Sequence, residues 1–190
     1  AAVELFAENV RLAEKYGADL IIIETMNDSY ETKAAVLAAK ENSELPVFVT
    51  NVFDEKGKLM TGADSKAMIA MLEGLGVDAI GMNCSLGPVQ MLPVVEEYVK
   101  YSSLPVIVNP NAGLPESVDG ATVFNVDAEA FSEVMKKIAE LGASVLGGCC
   151  GTTPEYIRKT VQKTKSLPFT GVSKKDYTLV SSYTHAVEVS

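Results

Sequence analysis

The sequence contains few of the residues on which disulfide-stabilised folds and histidine-based sites depend, with three cysteines and one histidine among 190 residues. Three is an odd number and too few for a secreted fold held together by disulfides. The thiols are therefore expected to be free for metal binding or catalysis, in a reducing compartment such as the cytoplasm. The single histidine, His185, lies near the end of the sequence, which argues against a Cys-His nucleophilic dyad.

Long apolar runs and an excess of basic residues are also missing. No stretch approaches the roughly 20 consecutive apolar residues of a membrane-spanning helix, and residues 1–6 lack the basic and apolar regions of a secretory signal. The formal net charge of −9 disfavours nucleic acid and anionic lipid, since both generally select a basic face. We therefore expect a cytoplasmic protein that acts on a small molecule, with no nucleic acid and no membrane as partner.

What the sequence does contain is a repeated alternation of apolar strands and amphipathic helices. Predicted strands cover residues 19–24, 45–51, 77–82, 104–109 and 143–147. The first of these is a continuous β-branched run, which is typical of a strand buried on both faces. Residues 110–125 are predicted as a long loop. Strands that alternate with helices at this spacing predict parallel βαβ units, in an open doubly wound sheet or a barrel.

The placement of reactive residues favours the barrel. Such residues follow three of the predicted strands, at Glu24, at Asn83-Cys84 and at Cys149-Cys150. The turns also lack a dinucleotide-binding glycine fingerprint, so we expect an α/β fold with its site at the carboxyl ends of the strands. Because a whole barrel takes about 250 residues, the chain is predicted to be a partial (β/α)₈ TIM barrel of about five C-terminal βα units, with the first strands absent. Residues 1–168 would form this incomplete barrel, and residues 169–190 a linker or extended tail towards a following domain.

Every cysteine lies just beyond a predicted strand, Cys84 after the third and Cys149-Cys150 after the fifth. In a barrel these thiols meet on one rim. Three thiolates that leave a fourth position open suit a catalytic zinc ion, and the glycines around the adjacent pair permit the irregular turn that such a chelate needs. The spacing matches no standard structural zinc motif, however, so inert buried thiols and a redox pair remain open as alternatives.

These motifs resemble the homocysteine S-methyltransferase family. The resemblance is carried by residues 81–84 (Gly-Met-Asn-Cys), 147–154 (Gly-Gly-Cys-Cys-Gly-Thr-Thr-Pro), 23–25 (Ile-Glu-Thr) and 109–115 (Asn-Pro-Asn-Ala-Gly-Leu-Pro), and it covers most of residues 1–168. Within the family, the loop at 109–115 and the extended tail are most similar to the homocysteine-binding domain of the cobalamin-dependent methionine synthase branch.

The resemblance implies that Cys84, Cys149 and Cys150 are the ligands of a catalytic Zn²⁺ that activates the thiol of homocysteine, and that methionine is the product. Glu24 would hold the substrate ammonium group, while Asn83 would orient the substrate or hydrogen-bond to a ligand. Asn109 and Asn111 are further candidate substrate-binding residues, although loop asparagines most often serve the backbone. Methylcobalamin and methyltetrahydrofolate are expected on other domains, so cobalamin- and folate-binding domains of a larger polypeptide are expected partners.

Two alternatives to this function remain at the level of the sequence. The same barrel could take the methyl group from betaine or another small donor, or it could be a non-catalytic fragment whose cysteines are structural. The family's N-terminal strands, with an Asp-Gly loop that helps to bind the amino acid, have no counterpart in these residues. The substrate pocket is therefore expected to be incomplete.

Overall fold

The alternation of strands and helices in the sequence is present in the computed structural model, which describes residues 1–169 and 171–189. Thr170 and Ser190, two residues of the predicted tail, lie outside the described residues. In chain order the described elements are α1 (Ala2–Lys15), β1 (Ile21–Met26), α2 (Ser29–Asn42), β2 (Val47–Asn51), α3 (Ser65–Gly74), β3 (Ala79–Asn83), α4 (Pro88–Tyr101), β4 (Val106–Asn109), β5 (Pro115–Val118), β6 (Ala121–Phe124), α5 (Ala128–Leu141), β7 (Val145–Leu146), α6 (Pro154–Thr164), β8 (Thr178–Ser181) and β9 (Ala186–Val189).

The five predicted strands form one parallel sheet in the order β1-β2-β3-β4-β7. Each strand pairs with the next sheet strand of the chain, for example through Phe48 with Ala79 and Gly81 with Ile107. The spatial order therefore follows the chain order, with a helix in every crossover, which is the arrangement of successive units in a βα barrel. The α/β class and the parallel sheet are confirmed, and the arc of five strands is consistent with a partial TIM-like barrel.

Three of the six described helices begin at an aspartate that directly precedes them. The side chains of Asp28, Asp64 and Asp127 accept hydrogen bonds from the backbone N–H groups of the first turns of α2, α3 and α5, at 2.8 to 2.9 Å. Such caps satisfy N–H groups that have no partner within the helix. At the other end of α5, Gly142 has a φ of +123°, a conformation that glycine adopts without strain.

The hydrophobic core lies between one face of the sheet and the helices. Alternate strand residues such as Val49, Ile80 and Val108 are buried there with Met68 and Phe131 of the helices. Because successive strand residues point to opposite faces, the positions between them, among them a threonine in β2 and a glycine and an asparagine in β3, belong to the other face. That second face leads to the carboxyl ends of the strands, where the reactive residues lie.

Two segments differ from the sequence-based expectation. β1 is expected to be buried on both faces, but Ile22 is 47% exposed and Glu24 and Thr25 are exposed as well. The difference arises because β1 is an end strand of the described sheet and pairs only with β2. The loop predicted at 110–125 contains the antiparallel hairpin of β5 and β6. Asp119 and Gly120 close this hairpin with φ values of +50° and +79°, the left-handed pair of a tight two-residue turn.

The tail predicted as a linker or extended segment forms the antiparallel hairpin of β8 and β9 and returns to the helices. The Tyr183 ring stacks on Tyr30 of α2 with centroids 4.5 Å apart, and its hydroxyl donates to Asp28 at 2.5 Å. The backbone N–H of Asp64, at the start of α3, donates to the carbonyl of Thr184 at 3.0 Å. None of the helices in residues 1–169 and 171–189 is both long enough and apolar enough to cross a membrane.

Candidate metal and substrate site

The three cysteines meet at the carboxyl ends of β3 and β7. Their sulfur atoms all lie within 4.8 Å of one another. Cys84 Sγ is 3.7 Å from Cys150 Sγ, and Cys149 Sγ is 4.0 Å from Cys150 Sγ. All three are free thiols, Cys84 and Cys149 partly buried and Cys150 exposed. A ligand can therefore approach the cluster from the side of Cys150.

The loop after β4 holds both cysteine segments in place. The N–H of Cys84 donates to the carbonyl of Asn109 at 3.1 Å, and the N–H of Cys149 donates to the carbonyl of Pro110 at 2.8 Å. The N–H of Cys150 donates to Oδ1 of Asn111 at 3.0 Å. Since β4 lies between β3 and β7 in the sheet, one loop fixes cysteines that are distant in the sequence.

The backbone of the Cys84 segment is held in an uncommon conformation. Cys84 and Ser85 have φ values of +60° and +61°, in the left-handed region that residues with side chains visit rarely. Such residues cost about 1 to 3 kcal/mol each and persist where the surrounding structure fixes them. The hydrogen bond to Asn109 supplies part of that constraint, so the orientation of the Cys84 side chain is set by its neighbours.

The glycines before the cysteine pair leave room for close packing. A Cβ atom on Gly147 would lie 2.5 Å from Oδ1 of Asn109, and one on Gly148 would lie 2.6 Å from Oγ1 of Thr152. The hydroxyl of Thr152 in turn donates to the carbonyl of Cys149 at 2.7 Å. The turn can pack this tightly because its first two residues have no side chains.

Without an ion, the environment of Cys149 favours the neutral thiol. Burial is the main cause that raises its pKa to about 11, and the neighbouring Cys84 and Cys150 thiols add to the shift. Crowded sulfur atoms disfavour negative charge on any one of them unless a cation is present.

Asn83, the last residue of β3, links the cluster to β1 and β2. Its Oδ1 accepts from the N–H of Thr25 at 3.0 Å and from the hydroxyl of Thr50 at 2.8 Å. Its Nδ2 donates to Oγ1 of Thr25 at 2.7 Å and lies 3.9 Å from Cys149 Sγ. Asn83 is only 1% exposed, so in this structure it contacts the thiol cluster from within the protein.

The other predicted site residues lie at different distances from the thiols. Asn109 is the last residue of β4, and Asn111 lies in the loop after it, where it is buried and accepts a hydrogen bond from the backbone of Cys150. Glu24 is exposed on β1 and is not a member of the thiol cluster. It lines an open cavity of about 450 Å³ between α1 and β1, together with Ile22 and Met26.

The profile of the homocysteine S-methyltransferase family matches residues 1–164. The chain belongs to this family. Two curated relatives are the methionine synthases of Mycobacterium leprae (strain TN) and Mycobacterium tuberculosis (strain ATCC 25618 / H37Rv). Each is 38% identical to the chain over 149 residues, which are 75% of this chain and 12% of the relative. The chain thus spans about an eighth of the length of these relatives.

Solved structures of a homocysteine methyltransferase show the same fold. The metallated form of MmuM from Escherichia coli superposes with a TM-score of 0.70 at 23% identity, covering 86% of this chain and 53% of that chain. The apo form gives a TM-score of 0.69 at 22% identity, covering 86% and 58%. At this identity the likeness concerns the fold alone.

The three cysteine sulfurs of this family member fit a zinc ion. Tetrahedral zinc with bonds of about 2.3 Å to sulfur requires ligand sulfurs about 3.8 Å apart. The observed separations of 3.7 and 4.0 Å are close to that value. Thiolates are also the ligands that zinc accepts most readily in tetrahedral sites.

Sequence reasoning did not identify two residues of the site, Thr25 and Thr50. Thr25 belongs to the Ile-Glu-Thr motif, yet only its glutamate was assigned a role, and its φ of +64° gives no signal in the sequence. Thr50 occurs within an apolar strand run, where threonine is common for its shape alone. Only the structure places both side chains on the amide of Asn83.

Proposed function

We propose that the protein transfers a methyl group to the thiol of homocysteine to give methionine, with the help of a zinc ion held by Cys84, Cys149 and Cys150. The observation that carries the proposal is the convergence of the three sulfurs within 4.8 Å, with two separations of 3.7 and 4.0 Å that suit tetrahedral thiolate ligands. Three protein ligands would leave a fourth position for the substrate. Membership of the homocysteine S-methyltransferase family supports the substrate.

When bound, Zn²⁺ supplies a Lewis acid that favours the nucleophilic thiolate form of an incoming thiol at neutral pH. The protein supplies the three ligands and fixes them through the loop at 109–112. The exposed side of Cys150 gives the substrate its path to the cluster. Asn83 and Asn111 hold the cysteines, while Asn109 packs beneath the turn at Gly147.

Glu24 has the role of binding the ammonium group of homocysteine by a charge-assisted hydrogen bond. Its carboxylate lies at the edge of the sheet in an open cavity, and its neighbour Thr25 contacts Asn83, which in turn contacts Cys149. The amino-acid end of the substrate would thus be held at β1 and the thiol end at the carboxyl ends of β3 and β7 in the same sheet.

The methyl donor in this proposal is methylcobalamin bound to another domain, with methyltetrahydrofolate bound to a further one. The similarity to two methionine synthases, of which the chain matches 12%, supports a larger polypeptide with cobalamin- and folate-binding domains. Residues 1–168 are then the homocysteine-binding unit and residues 169–190 the connection to a following domain. An acidic chain whose described residues contain no membrane-crossing helix also agrees with the cytoplasm as its location.

Metal analysis tests this proposal. Protein purified under reducing conditions is expected to contain about one zinc ion per chain and to bind L-homocysteine in calorimetry, and the Cys150→Ser variant is expected to lose both. Ser166→Ala is a matched control, because Ser166 is exposed beyond the far end of α6 from the thiols. A wild-type protein that folds but takes up no zinc would refute the proposal.

A further inference from the structure

The orientation of the Asn83 side-chain amide is fixed by a partner that can only donate. One terminal atom of the Asn83 amide has two hydrogen-bond partners. It lies 3.0 Å from the backbone nitrogen of Thr25 and 2.8 Å from the hydroxyl oxygen of Thr50. A backbone N–H has no acceptor capacity, so the atom facing it must be Oδ1 and not Nδ2. The reversed amide would place two donors against each other.

With the oxygen fixed, the NH₂ group of Asn83 has two hydrogens in defined directions. One is used in the 2.7 Å bond to Oγ1 of Thr25, and the other faces Cys149 Sγ at 3.9 Å. The sulfurs of Cys84 and Cys150 lie 3.7 Å apart, and Cys150 is also 4.0 Å from Cys149, but within the described residues neither of these two sulfurs accepts from the Asn83 amide. The amide therefore distinguishes Cys149 from the other two sulfurs.

The backbone of Thr25 is adapted to this contact. Its φ of +64° is rare for a β-branched residue, and conformations of this kind persist where the surroundings determine them. In this conformation Thr25 contacts the Asn83 amide twice. Its N–H donates to Oδ1 of Asn83, and its hydroxyl oxygen accepts from Nδ2. Thr50, fully buried in β2, supplies the third contact.

We propose that Thr25 and Thr50 are positioning residues, which hold the Asn83 amide so that it donates a hydrogen bond to Cys149 and makes Cys149 the weakest electron donor of the three thiolates. A hydrogen bond to a thiolate draws electron density from the sulfur. Residues that hydrogen-bond to metal ligands generally tune those ligands in addition to orienting them. The inference rests on the proposed metal site, and it adds that the three ligands are inequivalent.

Cobalt(II) is a suitable probe, because its sulfur-to-metal charge-transfer band reports the donor strength of thiolate ligands. Thr50→Val removes the hydroxyl and keeps the shape of the side chain, so the band is expected to move to longer wavelength. Zinc affinity, measured by chelator competition, is expected to fall by about tenfold, because the loss of the contacts that orient Asn83 and Cys149 outweighs the stronger donation of the released sulfur. Thr50→Ser keeps the hydroxyl and is expected to keep the wild-type band.

Thr25→Gly gives an independent test if Thr50→Val unfolds, because glycine adopts a positive φ without strain and keeps the backbone N–H. It deletes the Thr25 side chain and with it the acceptor of one Asn83 hydrogen, and a displaced band is again expected. If wild-type protein binds cobalt and both folded variants keep its band and zinc affinity, the positioning role is wrong and the proposed function stands. If wild-type protein binds neither ion, both proposals fail.

Discussion

Cys84 Sγ lies 3.7 Å from Cys150 Sγ although the two residues are 66 positions apart in the sequence. The contact depends on β4, which lies between β3 and β7. The end of β4 and the loop after it form hydrogen bonds both to the Cys84 segment and to the Cys149-Cys150 segment. The thiol cluster is therefore a property of three neighbouring strand ends. Changes that disturb the packing of these ends are expected to weaken metal binding even where no cysteine is altered.

Gly147→Ala is expected to reduce zinc affinity, because the added Cβ would lie 2.5 Å from Oδ1 of Asn109 and must displace either that side chain or the cysteine turn. Gly74→Ala is the matched control, since a Cβ there meets nothing within 4 Å and alanine stabilises a helix by about 0.5 to 1 kcal/mol over glycine. Chelator competition and urea unfolding distinguish the two variants. Wild-type zinc affinity in Gly147→Ala would show that the turn tolerates the extra carbon.

Glu24→Gln is expected to weaken L-homocysteine binding by about tenfold to a hundredfold, the effect of losing a hydrogen bond to a charged group, and to leave the zinc content unchanged. Calorimetry on the zinc-loaded protein measures the first and metal analysis the second. Glu8→Gln, on an exposed position of α1, is the control for the loss of one negative charge. If the Glu24 and Glu8 variants bind L-homocysteine with equal affinity, Glu24 does not bind the substrate.

Much of the fold follows from the sequence because its signals are local. Apolar runs of about six residues predicted all five strands of the sheet, and reactive side chains follow three of them. The meeting of Cys84 with Cys149 and Cys150 followed from strand order alone, since the carboxyl ends of parallel strands share one edge.

The parts that the sequence did not predict depend on contacts between distant residues. The hairpin of β5 and β6 had one local signal, the Asp119-Gly120 pair that favours a tight turn. The β8 and β9 hairpin has no such pair, and it docks through Tyr183 on α2. The role of Thr25 depends on a positive φ that no residue pattern announces.

Tyr183→Phe is expected to destabilise the protein by about 1 kcal/mol, because it removes the hydrogen bond to Asp28 and keeps the ring that stacks on Tyr30. Urea unfolding followed by circular dichroism measures the change. Tyr16→Phe serves as the control, since the Tyr16 side chain is exposed. An unchanged unfolding midpoint in Tyr183→Phe would mean that the docked tail adds nothing to stability through this bond.

Glu129→Gln is expected to lower stability at neutral pH and to have less effect in acid. Hydrogen bonds from Lys163 and then Lys159 of α6 lower the pKa of Glu129 from 4.5 to about 2. A carboxylate with a lowered pKa in the folded state stabilises the fold above its unfolded pKa, and this contribution is lost as the pH falls from 4.5 through about 2.

The corresponding experiment compares unfolding of wild type and Glu129→Gln between neutral pH and pH 2. Because the pair is exposed, the difference is expected to be small and to shrink with added salt. Glu55→Gln, in an exposed turn, is the matched control. A difference that grows on acidification would contradict the link between α5 and α6.

The most direct test of the thiolate site is zinc K-edge X-ray absorption on the metal-loaded protein, before and after addition of L-homocysteine. Three sulfur neighbours, one from each cysteine of the cluster, are expected at about 2.3 Å from zinc, with a fourth sulfur at a similar distance once homocysteine is bound. A first shell of nitrogen and oxygen, or a sulfur count that does not rise with saturating homocysteine, would contradict it.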